Sequence, residues 1–394
     1  MSPGDTEREP RPPRPPRDAR DRPPRVRLFA AASHGTEPAV RDELRALRFH
    51  AVRADRGGVH FEGSRPELVR ALLELRTAVR VLVEVGRFRA TSERELYDEV
   101  RALPLEEHLS PAHTLAVRAT SRASRLSHTQ FVAQKTKDAI VDRQRDRAGG
   151  RSSVDLDDPD VLLFVRLVSD EATVYLDASG GALHLRGYRE GGGREAPLKE
   201  TLAASLLVMA GVRPDEPFLD PMCGSGTLAI EAALRSRDVA PGLLHGSFGL
   251  ARWASWTSDE AAKLREALGE ARARVRTEGP TIFARDDDPG AVKLTQELAA
   301  RARVELDVRC EPMERMQPLG PSGAVVTNPP YGERLHVDEA LYGSLGRALL
   351  RMRGHRFGVL AGSESLARTM RLPVEVSRSV KNGALECRFV VGSI

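Results

Sequence analysis

The sequence predicts an α/β fold preceded by two smaller α+β modules, and three observations carry that reading. Four short apolar runs, at 218–220, 281–285, 324–327 and 357–361, alternate with helical stretches and read as strands buried on both faces. That is the pattern of a parallel sheet covered by helices. Two further strands, at 374–376 and 385–391, flank Lys381-Asn382-Gly383, and Asn-Gly tolerates the positive φ of a hairpin turn, so the sheet is expected to end in an antiparallel pair. The first half instead mixes strands and helices in short units, as small α+β modules do.

The elements follow in chain order. Residues 1–27, centred on Arg11-Pro12-Pro13-Arg14-Pro15-Pro16, lack the apolar side chains needed to offset the entropy of ordering and are read as a disordered tail. A first module, 28–85, opens on the strand-like run 26–31 and the turn Ser33-His34-Gly35-Thr36. A helix over 37–47 follows, with Val40, Leu44 and Leu47 on one face and Thr36 as a candidate N-cap. Then come a strand at 59–61, a helix over 66–75 and a strand near 79–85. A second module, 86–180, follows without a marked linker: helix 93–103, strand 114–119, helix 129–147 and strands 161–168 and 171–177. A linker at 181–196, rich in glycine over 187–193, separates it from the α/β unit of 197–394, whose first helix spans 198–210.

Composition narrows the function. The chain has 394 residues, 41% hydrophobic and 29% charged, which is a globular balance. Its longest apolar run, 202–212, falls short of the ~18 residues of a membrane span. An Arg/Pro-rich stretch stands where a signal peptide would carry its apolar core, so a cytoplasmic protein is expected. Cys223, Cys310 and Cys387 are widely scattered with no paired spacing, so neither a disulfide framework nor a metal site is expected. Of the net charge of +4, the tail holds +3, so the overall figure does not itself argue for nucleic acid. Residues 118–151 nevertheless hold nine Lys/Arg against three Asp. This is a candidate phosphate-binding face, with Arg122, Arg125, Lys135, Lys137 and Arg143 as the expected contacts. The alternative is a solvated helix laced with pairs such as Asp138 with Lys135 and Asp142 with Arg145.

Three segments carry chemistry. Asp220-Pro221-Met222-Cys223-Gly224-Ser225-Gly226-Thr227 leaves a strand and enters a helix, where glycines admit a ligand close to the backbone and the helix N-terminus offers free N–H groups. The pattern also satisfies the dinucleotide fingerprint, which keeps an NAD-dependent oxidoreductase open as a rival, and a purely structural tight turn remains the bland alternative. A carboxylate at Asp220 with no phosphate-binding lysine suits a ligand bearing an ammonium group, as S-adenosylmethionine does. Asp286-Asp287-Asp288 closes the next strand, where an acid can accept from ribose hydroxyls; Asp286 is assigned that role, and Asp288 is a candidate cap for the helix that follows. The intervening segment 237–279 breaks the ~20-residue spacing of a dinucleotide domain. In Thr327-Asn328-Pro329-Pro330-Tyr331-Gly332, two prolines stiffen the turn so that the Asn328 side chain and the Pro329 carbonyl can together accept from an exocyclic amine. Tyr331 offers a flat face to a base taken out of its stack.

Segments 220–227 and 328–331 together resemble motifs I and IV of the class I S-adenosylmethionine-dependent amino-methyltransferases. The closer likeness is to the THUMP-containing RNA methyltransferases, including the bacterial 23S ribosomal RNA guanine-N2 enzymes. It extends over Gly35-Thr36-Glu37-Pro38, Arg56-Gly57-Gly58-Val59, residues 137–142, 183–189, 196–200 and 327–335, and the spacer bearing Trp253 and Trp256. The resemblance implies a Rossmann-like class I methyltransferase domain, with a mostly parallel seven-stranded sheet and a C-terminal antiparallel hairpin. Ahead of it would stand ferredoxin-like and THUMP modules, the latter an RNA binder.

S-adenosylmethionine would then be held by Asp220, Pro221, Met222, Cys223, Gly224, Gly226, Thr227, Asp286, Asp287, Glu311 and Asn328. Asn328, Pro329, Pro330 and Tyr331 would form the catalytic turn. Two departures stand out: Ala284-Arg285 precedes Asp286 where the family carries glycine, and Glu311 stands where an aspartate is usual beside adenine. The expected activity is methylation of an exocyclic amine, guanine N2 of 23S ribosomal RNA first, by a monomer engaging structured RNA without metal or membrane. The same chemistry on transfer RNA guanine N2 or adenine N6 remains open, as does a non-catalytic RNA-binding assembly factor.

Overall fold

The computed structural model describes residues 24–189, 198–331 and 339–394. The tail before residue 24, most of the 187–193 glycine stretch, Ala196-Pro197 and the 332–335 end of the Asn-Pro-Pro-Tyr segment therefore lie outside the described residues.

The first module runs β1 (Val26–Ala31), α1 (Glu37–Ala46), β2 (His50–Asp55), β3 (Gly58–Gly63), α2 (Arg65–Glu74) and β4 (Arg80–Arg89). The second continues with α3 (Glu93–Ala102), β5 (Thr114–Arg122), α4 (Thr129–Ala148), β6 (Ser153–Val154), β7 (Val161–Val168) and β8 (Glu171–Asp177). Local chemistry sets several boundaries. Ser64 and Glu67 form a reciprocal capping box at the start of α2, and α4 stops at Gly149, whose φ of +69° no following helical residue would share. Thr36 does not cap α1 through its side chain; its hydroxyl donates to the Ser33 carbonyl at 2.8 Å, bracing the preceding turn.

The two modules share a single eight-stranded sheet, in the order β2-β3-β1-β4-β8-β7-β5-β6. β4 pairs antiparallel with β1 through Leu28–Val83 and with β8 through Gly86–Val174 and Phe88–Ala172. The 85/86 division thus falls inside one strand, beside an irregularity in its pairing with β8 between Glu84 and Gly86. Because a continuous ladder crosses it, the modules cannot pivot freely.

The second half adds α5 (Glu200–Met209), β9 (Phe218–Asp220), α6 (Thr227–Ser236), α7 (Ser258–Ala273), β10 (Ile282–Asp286), α8 (Pro289–Arg301), β11 (Asp307–Cys310) and β12 (Gly323–Thr327). It closes with α9 (Glu339–Leu349), β13 (His355–Ala361), α10 (Glu364–Thr369), β14 (Val374–Asn382) and β15 (Leu385–Ser393). Its seven-stranded sheet has the order β11-β10-β9-β12-β13-β15-β14, with β15 antiparallel to both β13 and β14 and the remaining neighbours parallel. β9 and β12 are buried throughout, as strands covered on both faces must be. Successive strands run outward from β9 on one side and from β12 on the other. The topological switch point therefore lies between these two, and ligands collect outside their carboxyl ends.

The two halves dock through the segment that breaks the dinucleotide spacing. Phe248, Leu250 and Trp253 belong to the apolar core of the first half, Leu250 N–H donates to the Ala178 carbonyl at 3.1 Å, and Ala254 N–H donates to the His108 carbonyl at 2.9 Å. Arg65 pairs with Glu260 at 2.7 Å and lies over the rings of Trp253 and Trp256. A second contact is ionic and sealed from water. Arg186, 1% exposed, meets Glu231 of α6, 0% exposed, at 3.1 Å and donates to the Arg76 carbonyl at 2.6 Å.

Candidate functional site

Asp220 ends β9 and the chain turns at once into α6. The turn is closed from below: Cys223 N–H donates to the Arg285 carbonyl at 2.8 Å, and Gly226 N–H donates to the Cys223 carbonyl at 2.7 Å. Gly224 and Gly226 take φ of +54° and +76°, where a side chain would be strained. At Gly226 a Cβ would also lie 2.6 Å from Thr295 Cγ2, whereas at Gly224 a Cβ would meet nothing within 4 Å. The backbone therefore packs tightly beneath Gly226 and opens on free space at Gly224. Asp286, at the end of the neighbouring β10, accepts from Gly224 N–H at 2.8 Å and from Asp288 N–H at 3.0 Å, each through a different oxygen. Each oxygen keeps a further lone pair for an incoming hydroxyl. Asp288 caps α8 by accepting from Gly290 N–H at 2.8 Å.

The electrostatics of the turn centre on Asp220. Only 2% of it is exposed, and burial pushes its carboxyl up from 3.8 to about 7, with Asp286 acting in the same direction. Met222 N–H, donating at 3.3 Å, and the nearby Thr327 hydroxyl, close enough to favour the carboxylate but without hydrogen-bond geometry, offset only part of that. A buried carboxylate so sparsely satisfied is a site for a cationic donor. Cys223 is buried, and burial pushes its thiol well up, which disfavours the thiolate.

On the adjacent strand, β12 carries Thr327 to the same edge of the sheet, and Asn328-Pro329-Pro330-Tyr331 follows. Asn328 is half-buried; its Oδ1 is shielded from solvent and has no hydrogen-bond partner among the described residues, and the Thr327 hydroxyl shares that condition. An orphaned acceptor such as Asn328 Oδ1 is costly and marks where a ligand donor is missing. The Tyr331 ring is half-buried, its hydroxyl accepts from Asn382 Nδ2 at 2.7 Å, and burial raises its phenol. One edge of the sheet thus brings together a buried acid, an open glycine turn at a helix N-terminus and an unsatisfied amide.

The remaining expected cofactor residues lie around this centre in different states. Pro221 is buried, Met222 half-buried, and Thr227 buried at the first position of α6. Glu311 follows β11; its N–H donates to the Asp286 carbonyl at 2.9 Å, and its carboxylate pairs with Arg285 at 3.3 Å. Asp287 is exposed. Two neighbours escaped the sequence reading. Arg285, nearly buried, also pairs with Asp307 at 3.3 Å, and Arg189 reaches the glycine turn at the Thr227 hydroxyl while pairing with Glu200 at 3.0 Å. Nothing in local spacing links residue 189 to residue 227, and the run 183–189 carries a signal only through the family resemblance.

The basic residues divide likewise. Arg122 and Arg125 are exposed at the β5–α4 turn, Arg125 at 73%. Lys135 lies over the rings of Tyr97 and Phe131, and Lys137 pairs with Asp138 at 2.5 Å, the partner that sequence had given to Lys135. Asp142 pairs with Arg145 at 3.0 Å as expected. Arg143, 13% exposed, is committed to Glu106 at 2.6 Å and to the Arg101 carbonyl, joining α4 to the α3 region. Among the described residues no group of three or more His, Cys, Asp or Glu could hold a metal ion, and no helix is long and apolar enough to cross a membrane.

Comparisons with known proteins match three stretches of the chain. Residues 27–82 match the RlmL ferredoxin-like domain, 90–177 the THUMP domain, and 186–390 the RMKL-like methyltransferase domain. The ribosomal RNA large subunit methyltransferase K/L of Syntrophotalea carbinolica is 41% identical over 380 residues, covering 93% of this chain and 53% of its own length. The chain spans about half the length of the curated relatives it matches. Among solved structures, SMU.472 complexed with SAH superposes with a TM-score of 0.81 at 29% identity, over 94% of this chain and 98% of that one. A predicted N6-adenine-specific DNA methylase from Listeria monocytogenes superposes with a TM-score of 0.82 at 31% identity, over 93% and 96%. With its fold, its glycine turn and its Asn-Pro-Pro-Tyr segment at the switch point, the chain belongs to the family of RMKL-like methyltransferase domains.

Proposed function

We propose that this chain transfers a methyl group from S-adenosylmethionine to an exocyclic amine of large-subunit ribosomal RNA, guanine N2 first, acting as a monomer. The observation that carries this reading is the pairing of a buried, poorly satisfied Asp220 with the orphaned Oδ1 of Asn328 on adjacent strand ends. The residues present fit the cofactor: Asp220 suits an ammonium group, the space over Gly224 admits a ligand against the α6 N-terminus, and Asp286 has lone pairs for ribose hydroxyls. When bound, the cofactor supplies an electrophilic methyl group on a sulfonium.

The chain's part is positioning. Asn328 Oδ1 and the Pro329 carbonyl would accept the two N–H bonds of the amine, whose lone pair is otherwise delocalised into the ring, and favour a pyramidal nitrogen. Tyr331 would flank the extruded base. The proline-stiffened backbone limits reorganisation as the amine is engaged. No covalent adduct with the base is required. On the RNA side, Arg122 and Arg125 are the best placed phosphate contacts, with Lys135 and Lys137 beside them; Arg143 serves the packing of its own module. We divide the chain into a tail to residue 27, a ferredoxin-like part over 28–85, a THUMP part over 86–180, a linker over 181–196 and a methyltransferase part over 197–394, the ferredoxin-like and THUMP parts acting as one RNA-holding unit.

The names of the K/L relatives support ribosomal RNA, and the SAH complex of SMU.472 supports the cofactor. The name of the Listeria structure favours a second reading, adenine N6, since both amines offer two N–H bonds to the same acceptors. Incubating the protein with labelled S-adenosylmethionine and deproteinised large-subunit RNA, then digesting to nucleosides, decides between them. Label in N2-methylguanosine supports the first reading, and label in N6-methyladenosine supports the second. No label in any nucleoside, with SAH still bound, refutes both in favour of a non-catalytic RNA binder.

A further inference from the structure

The hairpin of β14 and β15 turns at Gly383-Ala384, between the paired residues Asn382 and Leu385, with Gly383 at φ of +61°. Asn382 is therefore the last residue of β14 and not a turn residue, as the Asn-Gly dipeptide had suggested. That register leaves its amide free to reach across and donate to the Tyr331 hydroxyl at 2.7 Å. Tyr331 is held on its other side by close packing: a Cβ on Gly362, just past β13, would collide with Tyr331 Cβ.

The adjacent residue, Lys381, is bonded to the opposite half of the molecule. Its N–H donates to the His34 carbonyl at 3.0 Å, and Gly35, at φ of +89°, lies so close to the Ser379 carbonyl that a Cβ would not fit. The turn that makes this contact is itself braced. Glu37 accepts from Gly35 N–H at 2.8 Å with one oxygen and from Gly57 N–H, in the β2–β3 turn, at 3.0 Å with the other.

We propose that Asn382 is a positioning residue for methyl transfer that acts through Tyr331, and that the ferredoxin-like module holds it in place through the Ser33–Gly35 turn. The inference rests on the catalytic reading of the Asn328–Tyr331 turn given above. A one-ångström displacement of a reacting geometry can cost ~100-fold in rate. A tyrosine tethered by its hydroxyl to a strand end, and that strand end pinned by a separate module, removes such displacement. The docked N-terminal half then has two tasks: it holds RNA, and it fixes one wall of the catalytic turn.

The test uses the full chain with Asn382→Ala, Tyr331→Phe and the two combined. Each single variant is expected to lower kcat on the order of tenfold or more while leaving the Kd for SAH unchanged. Asn382→Ala removes the amide–phenol hydrogen bond, and Tyr331→Phe removes it together with the hydroxyl's contact to Cys387, so the double variant should be no slower than Tyr331→Phe. Gly35→Ala should reproduce the loss; Glu37→Gln, which keeps shape but gives up one acceptor, should reproduce it in milder form if Gly35→Ala does not fold. Tyrosine-ring NMR, with the Tyr331 signal assigned by its absence in Tyr331→Phe, should show that signal moving in Asn382→Ala and in the turn variants. Wild-type kcat in Asn382→Ala, or independent losses that multiply in the double variant, overturns the positioning role. An unmoved Tyr331 signal in both turn variants overturns the role of the module. If the wild type transfers no methyl group, the functional reading fails by itself, and the ring signal still decides whether Asn382 and the turn set Tyr331.

Discussion

Replacing Asp220 with Asn separates what this residue does for the fold from what it does for the ligand. In the cofactor-free protein, burial moves its carboxyl from 3.8 to about 7, so the folded state holds a proton that the unfolded state has already released. Stability therefore falls as pH rises from 3.8 through about 7 and is level beyond. At about 1.4 kcal/mol per pH unit, keeping this carboxylate ionised and buried costs ~4 kcal/mol above neutrality. Asn has nearly the same shape, keeps an acceptor for Met222 N–H and carries no charge. Asp220→Asn should thus be the more stable protein, by little near pH 4 and by up to ~4 kcal/mol at pH 8.

Urea unfolding of both proteins without cofactor, at pH 5 and pH 8, measures the difference, and subtraction removes the titration of every other group. SAH binding should move the other way. Losing a charge-assisted contact worth ~1.5–3 kcal/mol weakens affinity by about 10- to 100-fold. In the wild type, affinity should fall as pH drops below about 7, because the ammonium group needs the carboxylate form. A variant no more stable than wild type at pH 8, or one that binds SAH equally well, would refute the assignment of Asp220 as a buried acid reserved for a cation.

Three further outcomes can be checked. Asn328→Ala should lose methyl transfer on the order of 10²-fold or more at saturating cofactor, a loss separate from any change in SAH affinity seen by dialysis, since it removes a contact made to the reacting amine. Arg186→Met should destabilise by up to ~3–5 kcal/mol by taking from the buried Glu231 its ion-paired partner and leaving it the Tyr188 hydroxyl and the charge of Arg76, and adding Glu231→Leu should recover only part of that, because Glu231 is imperfectly satisfied to begin with but its loss also takes the counter-charge from the buried Arg76. A double variant as unstable as the single would show that the ion pair contributes more than the charges cost. Arg122→Ser with Arg125→Ser should flatten the salt dependence of RNA binding by about one unit of slope per phosphate contact. Arg143→Ser should leave the slope alone and lower thermal stability; the reverse pattern would move the RNA face onto the body of α4.

Much of this protein was set locally and could be read residue by residue. The buried runs that became β9, β12 and β13, the glycine turn, the Asp288 cap and the Asn-Pro-Pro-Tyr segment each follow from side-chain volume, φ preference or hydrogen-bonding groups within a few residues. β2 escaped because its sequence, His50–Asp55, is mostly exposed at a sheet edge and carries no apolar alternation; only pairing with β3 makes it a strand. Tertiary structure decided what local rules could not express. β4 and β8 pair across ninety residues and fuse two modules into one sheet, which depends on two distant edges meeting. The 237–279 segment reads in sequence as an interruption of a cofactor domain, yet its Trp253 belongs to the core of the other half and Trp256 packs against that core. Arg189 at the glycine turn, Arg186 on Glu231 and Asn382 on Tyr331 are contacts between residues far apart in the chain. Hydrogen bonds and ion pairs depend on distance in space, and sequence separation says nothing of that distance until the chain has packed.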